Sequence, residues 1–407
     1  MKRLKYIRQW LSDWNAIFIN ELRMIFSDSG VLIIFFLAGF VYPVLYNLIY
    51  GEGVLNGMPV AVVDRSGGTG SRRFIREMDA TRELDVAYRC TDMAEAEGLF
   101  MERKVNGIVM FPEDYDDRLA AMEPAVISTY ADMSSFLYYK NLTMATGNVM
   151  ISEMHDIQEK RFSAAGYGDR QTDQAVKPIK TEAVIPYNGT FSYTLFFIPA
   201  VLMIILQQTM FFGVSMLAGT MREQNHSFAL MPDRLKGRGI NRTVLGRGTA
   251  YWLIYIIMGI YTAVLIPRLF HLPQNGNPGD IFILLLAYIP ACIVFSFTFS
   301  TFIRRRETAF VIFLFITPIC LFLTGCSWPA SNFPLFWKLF SCIFPSTFAS
   351  RAFVNISSAG ADLAMAGPQI RGLAAQTAVY YFLSCTAVYL ENRKLKNWKL
   401  KNRKRNG

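Results

Sequence analysis

Six stretches of this chain, residues 31–50, 195–217, 249–267, 281–301, 308–328 and 373–390, contain no Asp, Glu, Lys or Arg. A run of roughly 18 or more uncharged, mostly apolar residues is long enough to cross the hydrocarbon core of a bilayer as a helix. One such run is compatible with a buried helix of a soluble protein. Six of them, each bounded by charged segments, are not. Composition agrees, because 52% hydrophobic against 18% charged residues is too apolar and too lightly charged for an ordinary soluble protein of 407 residues. The expected fold class is therefore an α-helical polytopic membrane protein with six spans. The long polar interval 51–190 between the first and second runs is expected to form an inserted domain.

Lys and Arg resist translocation, so their distribution sets the orientation. With the N-terminus inside, the inner segments are 1–30, 218–248, 302–307 and 391–407. These hold 22 of the 41 basic residues and 7 of the 31 acids; the remainder holds 19 basic and 24 acidic residues. The net charge of +10 is thus strongly positive inside and negative outside. Both termini are expected in the cytoplasm and the 51–190 domain outside it. The same split excludes a nucleic-acid partner, because the basic excess lies in short loops beside spans and in the tail 391–407. A cleaved signal peptide does not fit either. The first apolar run begins only after thirty residues, is full span length, and leads into Tyr50-Gly51-Glu52 without a small-x-small site.

Before the first span, Leu11, Trp14, Phe18, Leu22 and Ile25 recur at helical steps, while Asp13, Asn20 and Arg23 are expected to face elsewhere. Residues 1–30 therefore read as an amphipathic helix on the cytoplasmic membrane surface, or one packed on another protein. Pro43 is expected to kink the first span, 31–50. In the inserted domain, residues 59–64 read as a strand, followed by a Gly-rich turn and a helix capped by Ser71 and running to about Asp79. Strands at 85–88, 107–110 and 125–130 alternate with helices at 93–104 and 113–122, which implies an α/β domain. Residues 134–165 read as helix, 166–180 as loop and 182–186 as a returning strand.

No catalytic constellation is present. The Gly-rich turn lacks the Lys of a phosphate loop, and neither a nucleophile elbow nor a zinc motif occurs. The three histidines are isolated, and the six cysteines show no metal or redox spacing, although Cys326 and Cys342 both fall near the outer face. No cofactor is expected on this chain, and it is not expected to be an enzyme. Asn47, Gln207, Gln208 and Gln376 are the main polar residues of the spans, as lining of a pathway or as helix-to-helix glue. Between the fifth and sixth spans, the Pro-interrupted apolar segment 329–350 reads as a re-entrant hairpin. An amphipathic lid is the alternative.

The ordered parts resemble the permease subunits of type 2 ABC exporters, in the branch with a large extracytoplasmic domain after the first span. The carriers are Asn20-Glu21-Leu22-Arg23, the strand ending at Asp64, Asn106 through Pro112, Arg222-Glu223, Leu245-Gly246-Arg247, and the Phe322-Leu323-Thr324-Gly325, Trp328-Pro329, Phe333-Pro334 and Phe344-Pro345 series. The family's coupling loop usually continues as Arg-Glu-x-x-Gly-Thr, and Gln224 through Phe228 departs from that pattern. The resemblance implies a multi-pass protein of the bacterial inner membrane that moves a drug or lipid-like amphiphile outward. It implies coupling of Glu21, Arg23, Arg222, Glu223 and the loop 221–247 to a separate ATPase subunit carrying ATP and Mg. It further implies a second permease copy or paralogue, an outer hairpin built on Gly325, Pro329, Pro334 and Pro345, and in some relatives an envelope adaptor. The rivals are a membrane-anchored receptor acting through its outer domain and a secondary transporter. The latter predicts ionisable residues within the spans, and none is present.

Overall fold

A computed structural model describes residues 2–51, 53–179, 187–189, 192, 194–223 and 239–403. The chain divides into two compact units, one made of Met1–Gly53 with Pro186–Gly407 and the other of Val54–Ile185. The first unit is helical throughout and makes this a polytopic helical membrane protein. Six of its helices are long and apolar enough to cross a bilayer: Ser29–Ile49, Thr194–Glu223, Ile240–Leu269, Pro278–Ser300, Arg306–Leu323 and Gly367–Leu390. The second span is the axis of this unit. From Phe197 to Gly219 every residue is buried, although the segment is apolar on all sides. The first, fifth and sixth spans instead expose rows such as Leu37, Val41 and Leu48, Leu314 and Phe315, and Val379 and Phe382, which water would not tolerate and lipid does.

Several helices run past the charge-free segments. The third span starts at Ile240, so Leu245-Gly246-Arg247 lies within its first turns and does not precede it. The second continues to Glu223 and the sixth to Arg403. Charged ends extend beyond the hydrocarbon while the backbone keeps its hydrogen bonds, so charge marks the membrane boundary and not the helix boundary. Of the expected loop 221–247, residues 221–223 belong to the second span and 240–247 to the third; residues 224–238 lie outside the described residues, as do the expected strand at 182–186 and residues 404–407. In the first span the helix passes through Pro43. The irregularity lies a turn earlier, in a π-helical stretch at Ile33–Ala38. All six cysteines, Cys326 and Cys342 included, are free thiols.

Ahead of the first span lies α1, Lys2–Ser27. Its buried row is Asp13, Ile17, Glu21 and Ile25, at steps of four, whereas Leu11 is 51% exposed. The buried face is thus rotated from the one expected: of the expected apolar row, Ile25 is buried and Phe18 and Leu22 are half-buried against the core, while Arg23 is exposed as expected. Asp13 and Glu21 are buried because the third span presents Arg242 and Arg247 to them, while Ile7, Leu11, Ile19 and Phe26 remain exposed.

The second unit contains β1 Met58–Asp64, α2 Thr69–Asp79, β2 Leu84–Cys90, α3 Met93–Met101, β3 Gly107–Phe111, α4 Tyr115–Ala120, β4 Ser128–Ala131, α5 Phe136–Ala164 and α6 Asp169–Val176. The strand order is β2-β1-β3-β4, with β1 parallel to both neighbours and β4 antiparallel to β3. Alternate residues of β1 feed two cores. Met58, Val60 and Val62 meet Phe74, Met78 and Val149 from α2 and α5, while Ala61 and Val63 meet Ala96 of α3. Coverage on both faces explains why Val60 to Val63 is continuously apolar. Two local expectations change. Ser71 is buried inside α2, donating to Asp64, and is not its cap. Residues 166–180 are not all loop: in α6 the Gln171 side chain accepts from the Gly168 N–H, and Thr172 and Val176 are buried.

Candidate functional site

The alternation of chain direction brings the Lys- and Arg-rich ends of the spans and α1 to one end of the helical unit. Here α1 is strapped to the third span at two heights. Arg242 Nη1 donates to Asp13 Oδ2 at 2.7 Å. Two turns along α1, Arg247 donates through Nε and Nη2 to both Glu21 oxygens, each at 2.9 Å, and the Tyr251 hydroxyl donates to Glu21 Oε1 at 2.9 Å. The Arg247 guanidinium carbon also lies 5.1 Å from the Phe297 ring centroid, which ties the pair to the fourth span. Glu21 is only 1% exposed. Such a buried pair contributes little net stability over an apolar replacement, but removing one partner strands a charge at a cost of about 3–5 kcal/mol. Gly246 lets the helices close. A Cβ there would lie 3.0 Å from the Ile17 side chain and 3.2 Å from the Trp14 carbonyl oxygen.

A second node joins the first, second and fifth spans. Asp28 Oδ1 accepts from the backbone N–H groups of Gly30 and Val31, capping the first span. The same carboxylate receives Arg306 Nη1 at 2.7 Å and Nη2 at 2.8 Å. Arg306 further donates to Thr220, and its N–H donates to Glu223 Oε1 at 3.2 Å. Burial alone would raise the Asp28 pKa; the Arg306 guanidinium and the two amides outweigh it and hold the carboxyl below its ordinary value. Arg222 donates to the carbonyl oxygens of Ser300 and Ile303, which terminate the fourth span. Between these groups lies a cavity of about 50 Å³ lined by Arg222, Arg247 and Ser384, among others. It is far below the ~300–1,000 Å³ of small-molecule sites.

At the opposite end, the fifth span stops at Gly325, whose φ of +93° is the left-handed turn a helix terminus favours. Pro329 precedes a short 3₁₀ turn, Pro334 caps the helix Leu335–Ser341, and Pro345 opens the helix continuing to Ser358. The two helices meet at 89°, the geometry of a re-entrant pair or a broken span. Arg351 Nε and Nη2 donate to the terminal carbonyl oxygens of Thr324 and Leu323. Gln207 of the second span accepts the Ser346 N–H at 2.6 Å, and Gln208 donates to Cys320 of the fifth at 3.0 Å. Gln376 donates to the Cys342 carbonyl oxygen. Asn47 differs, turning its amide back onto Pro43 in its own helix.

The residues expected to contact an ATPase do not share one environment. Arg23 and Glu223 are exposed, Arg222 is half-buried, and Glu21 is sealed inside the helical unit by Arg247 and Tyr251. Glu21 thus braces α1 against the third span from inside the unit. Arg242 and Arg351 were not singled out in the sequence, and the pairings of Asp13, Asp28, Arg247 and Arg306 were not anticipated there. The four-residue step Asp13-Ile17-Glu21-Ile25 is the signal that marks the buried face of α1.

A family model described as ABC-2 family transporter protein matches residues 29–386. No curated protein matches the chain.

Proposed function

The chain belongs to the ABC-2 transporter family, and from that premise we propose that it is the membrane subunit of an exporter, moving an amphiphilic, drug- or lipid-like substrate outward. Membership implies an ATPase partner in general, and the sequence contains no Walker A motif of its own. ATP and Mg belong to that partner. The observation that carries the mechanical reading is the double strap of Asp13–Arg242 and Glu21–Arg247. Through it, a force applied to the exposed face of α1, where Arg23 sits, moves the third span, and Arg247 over Phe297 passes it to the fourth. ATP-driven closure of two ATPases on the basic face would then shift these spans together.

In this reading both termini and the 224–238 segment are cytoplasmic, and the Val54–Ile185 unit lies outside the bacterial inner membrane; the positive-inside distribution supports that orientation. A second copy or a paralogue completes the pathway. An envelope adaptor is a further candidate partner, and membrane lipids surround the whole. The test is reconstitution with an ATPase encoded beside it: export of a fluorescent amphiphile needs both chains and ATP. ATP hydrolysis by the purified chain alone, or ATP-independent uphill export, would overturn the assignment.

A further inference from the structure

The connectivity of the four-stranded sheet creates a crevice that nothing in the transport reading uses. From β1 the chain crosses through α2 to β2 on one side, and then through α3 to β3 on the other side of β1. The carboxyl ends of β1 and β3 are therefore the point where the connections diverge, with α2 and α3 on opposite faces. In open α/β sheets that crevice is where ligands settle. Here it opens into a cleft of about 510 Å³ between α2, α4 and α5, within the size range of small-molecule sites.

The cleft is cationic on an apolar floor. Arg73 and Arg76 of α2 face Lys160 and Arg161 of α5, with Leu119 and Ile157 between them. Two of the four cations are fixed by the protein. Arg73 Nε donates to Glu153 Oε1 at 2.6 Å, and Arg161 Nη2 donates to the Leu119 carbonyl oxygen at 2.6 Å. Arg76 and Lys160, both exposed, carry no such contact among the described residues. The two carboxylates in the wall are committed elsewhere. Glu153 holds Arg73, while Asp116 accepts from the Ser66 hydroxyl and from the N–H groups of Gly70 and Ser71. Asp116 thus fills the start of α2, the place where a nucleotide phosphate would sit in a dinucleotide-binding fold. A Cβ on Gly68 or Gly70 would collide with it, at 2.2 and 2.6 Å. What remains is two exposed cations, Arg76 and Lys160, beside Leu119 and Ile157, with Glu77 and Asp156 acting on the neighbouring Arg73.

We propose that this cleft binds an anionic amphiphile, with an oxyanion head between Arg76 and Lys160 and an apolar body on Leu119 and Ile157. The site is independent of the export assignment. A lipid headgroup and a soluble phosphorylated molecule offer the same head chemistry, and the probes separate them. Full-length protein in nonionic detergent is titrated calorimetrically with inorganic phosphate, dihexanoyl phosphatidic acid and dihexanoyl phosphatidylcholine.

Phosphatidic acid is expected to bind at least tenfold more tightly than phosphatidylcholine. The double variant Arg76→Gln/Lys160→Gln is expected to lose at least tenfold in that affinity at unchanged thermal stability, because neither side chain holds the fold. Arg89→Gln, on β2 and outside the cleft, is the charge control and is expected to change nothing. Binding of phosphatidic acid in preference to inorganic phosphate supports the amphiphile; inorganic phosphate binding as tightly as phosphatidic acid would overturn it, because the apolar body would then contribute nothing. Equal binding of phosphatidylcholine, no binding of either acidic probe, or a double variant that binds like the parent would each overturn the proposal.

Discussion

Glu21 and Arg247 form a two-point ion pair, 2.9 Å on each arm, between a helix that precedes the first span and the first turns of the third. Because Glu21 is 1% exposed, its deletion leaves a guanidinium facing a hole in place of water. Glu21→Ala is expected to destabilise the protein by about 3–5 kcal/mol. The double replacement Glu21→Leu/Arg247→Met is expected to recover most of that loss, since apolar pairs of similar volume substitute well for buried ion pairs. Thermal unfolding in detergent of both singles and the double closes the cycle. Additive losses would show that the two side chains do not depend on each other.

Asp28 gives the basic end a defined acid sensitivity. Its folded-state pKa lies below the ordinary 3.8, so its contribution is complete above that value and is lost as pH falls through the lowered folded value. Wild type is expected to lose stability below about pH 4 in part through this carboxylate. Asp28→Asn is expected to be less stable at neutral pH and to show a shallower acid decline. Parallel pH profiles for the two proteins would remove Asp28 from the set of acid-labile groups.

The bent helix pair is held to the second span in part by the acceptor that Gln207 offers to the Ser346 N–H, both fully buried, beside the Ser350 and Ser358 hydroxyls that donate to the Ala200 and Leu195 carbonyl oxygens. Gln207→Leu keeps volume but orphans that donor, at a cost of about 1–3 kcal/mol. The Ser346 amide should then exchange with solvent deuterium well before the backbone of the second span. Unchanged protection would mean that packing and the Ser350 and Ser358 hydroxyl bonds hold the helix starting at Pro345 without Gln207.

The six spans were legible because excluding charge from hydrocarbon is a strong local rule that needs no partner to enforce it. Helix ends were not, since charged residues ride on helices past the membrane: the third span begins at Ile240, although the charge-free run begins only at 249. On α1, polarity was a false guide to exposure. Asp13 and Glu21 are buried because Arg242 and Arg247 arrive from more than two hundred residues downstream, a pairing that local periodicity cannot contain. In the second unit, Val60 to Val63 announced its strand by being apolar on both faces. Polar α6 stayed hidden because Thr172 and Val176 are its only buried residues.

Gly246 separates stability from coupling more cleanly than any charged residue at this end. Its missing side chain brings Ile17 and the Trp14 carbonyl within 3.0 and 3.2 Å of where a Cβ would stand, so a larger residue must push α1 away from the third span. The span itself keeps its intrahelical hydrogen bonds and gains helix propensity on replacing glycine, about 1 kcal/mol. Gly246→Leu is therefore expected to insert and fold while weakening the Asp13–Arg242 and Glu21–Arg247 straps, whose geometry depends on that contact. In a reconstituted complex, ATP hydrolysis should persist while export falls severalfold, the signature of a relay that slips. Gly246→Ala, with a smaller push, should lie between. If Gly246→Leu exports at the parental rate per ATP hydrolysed, the packing of α1 on the third span is not the path by which the ATPase moves the spans.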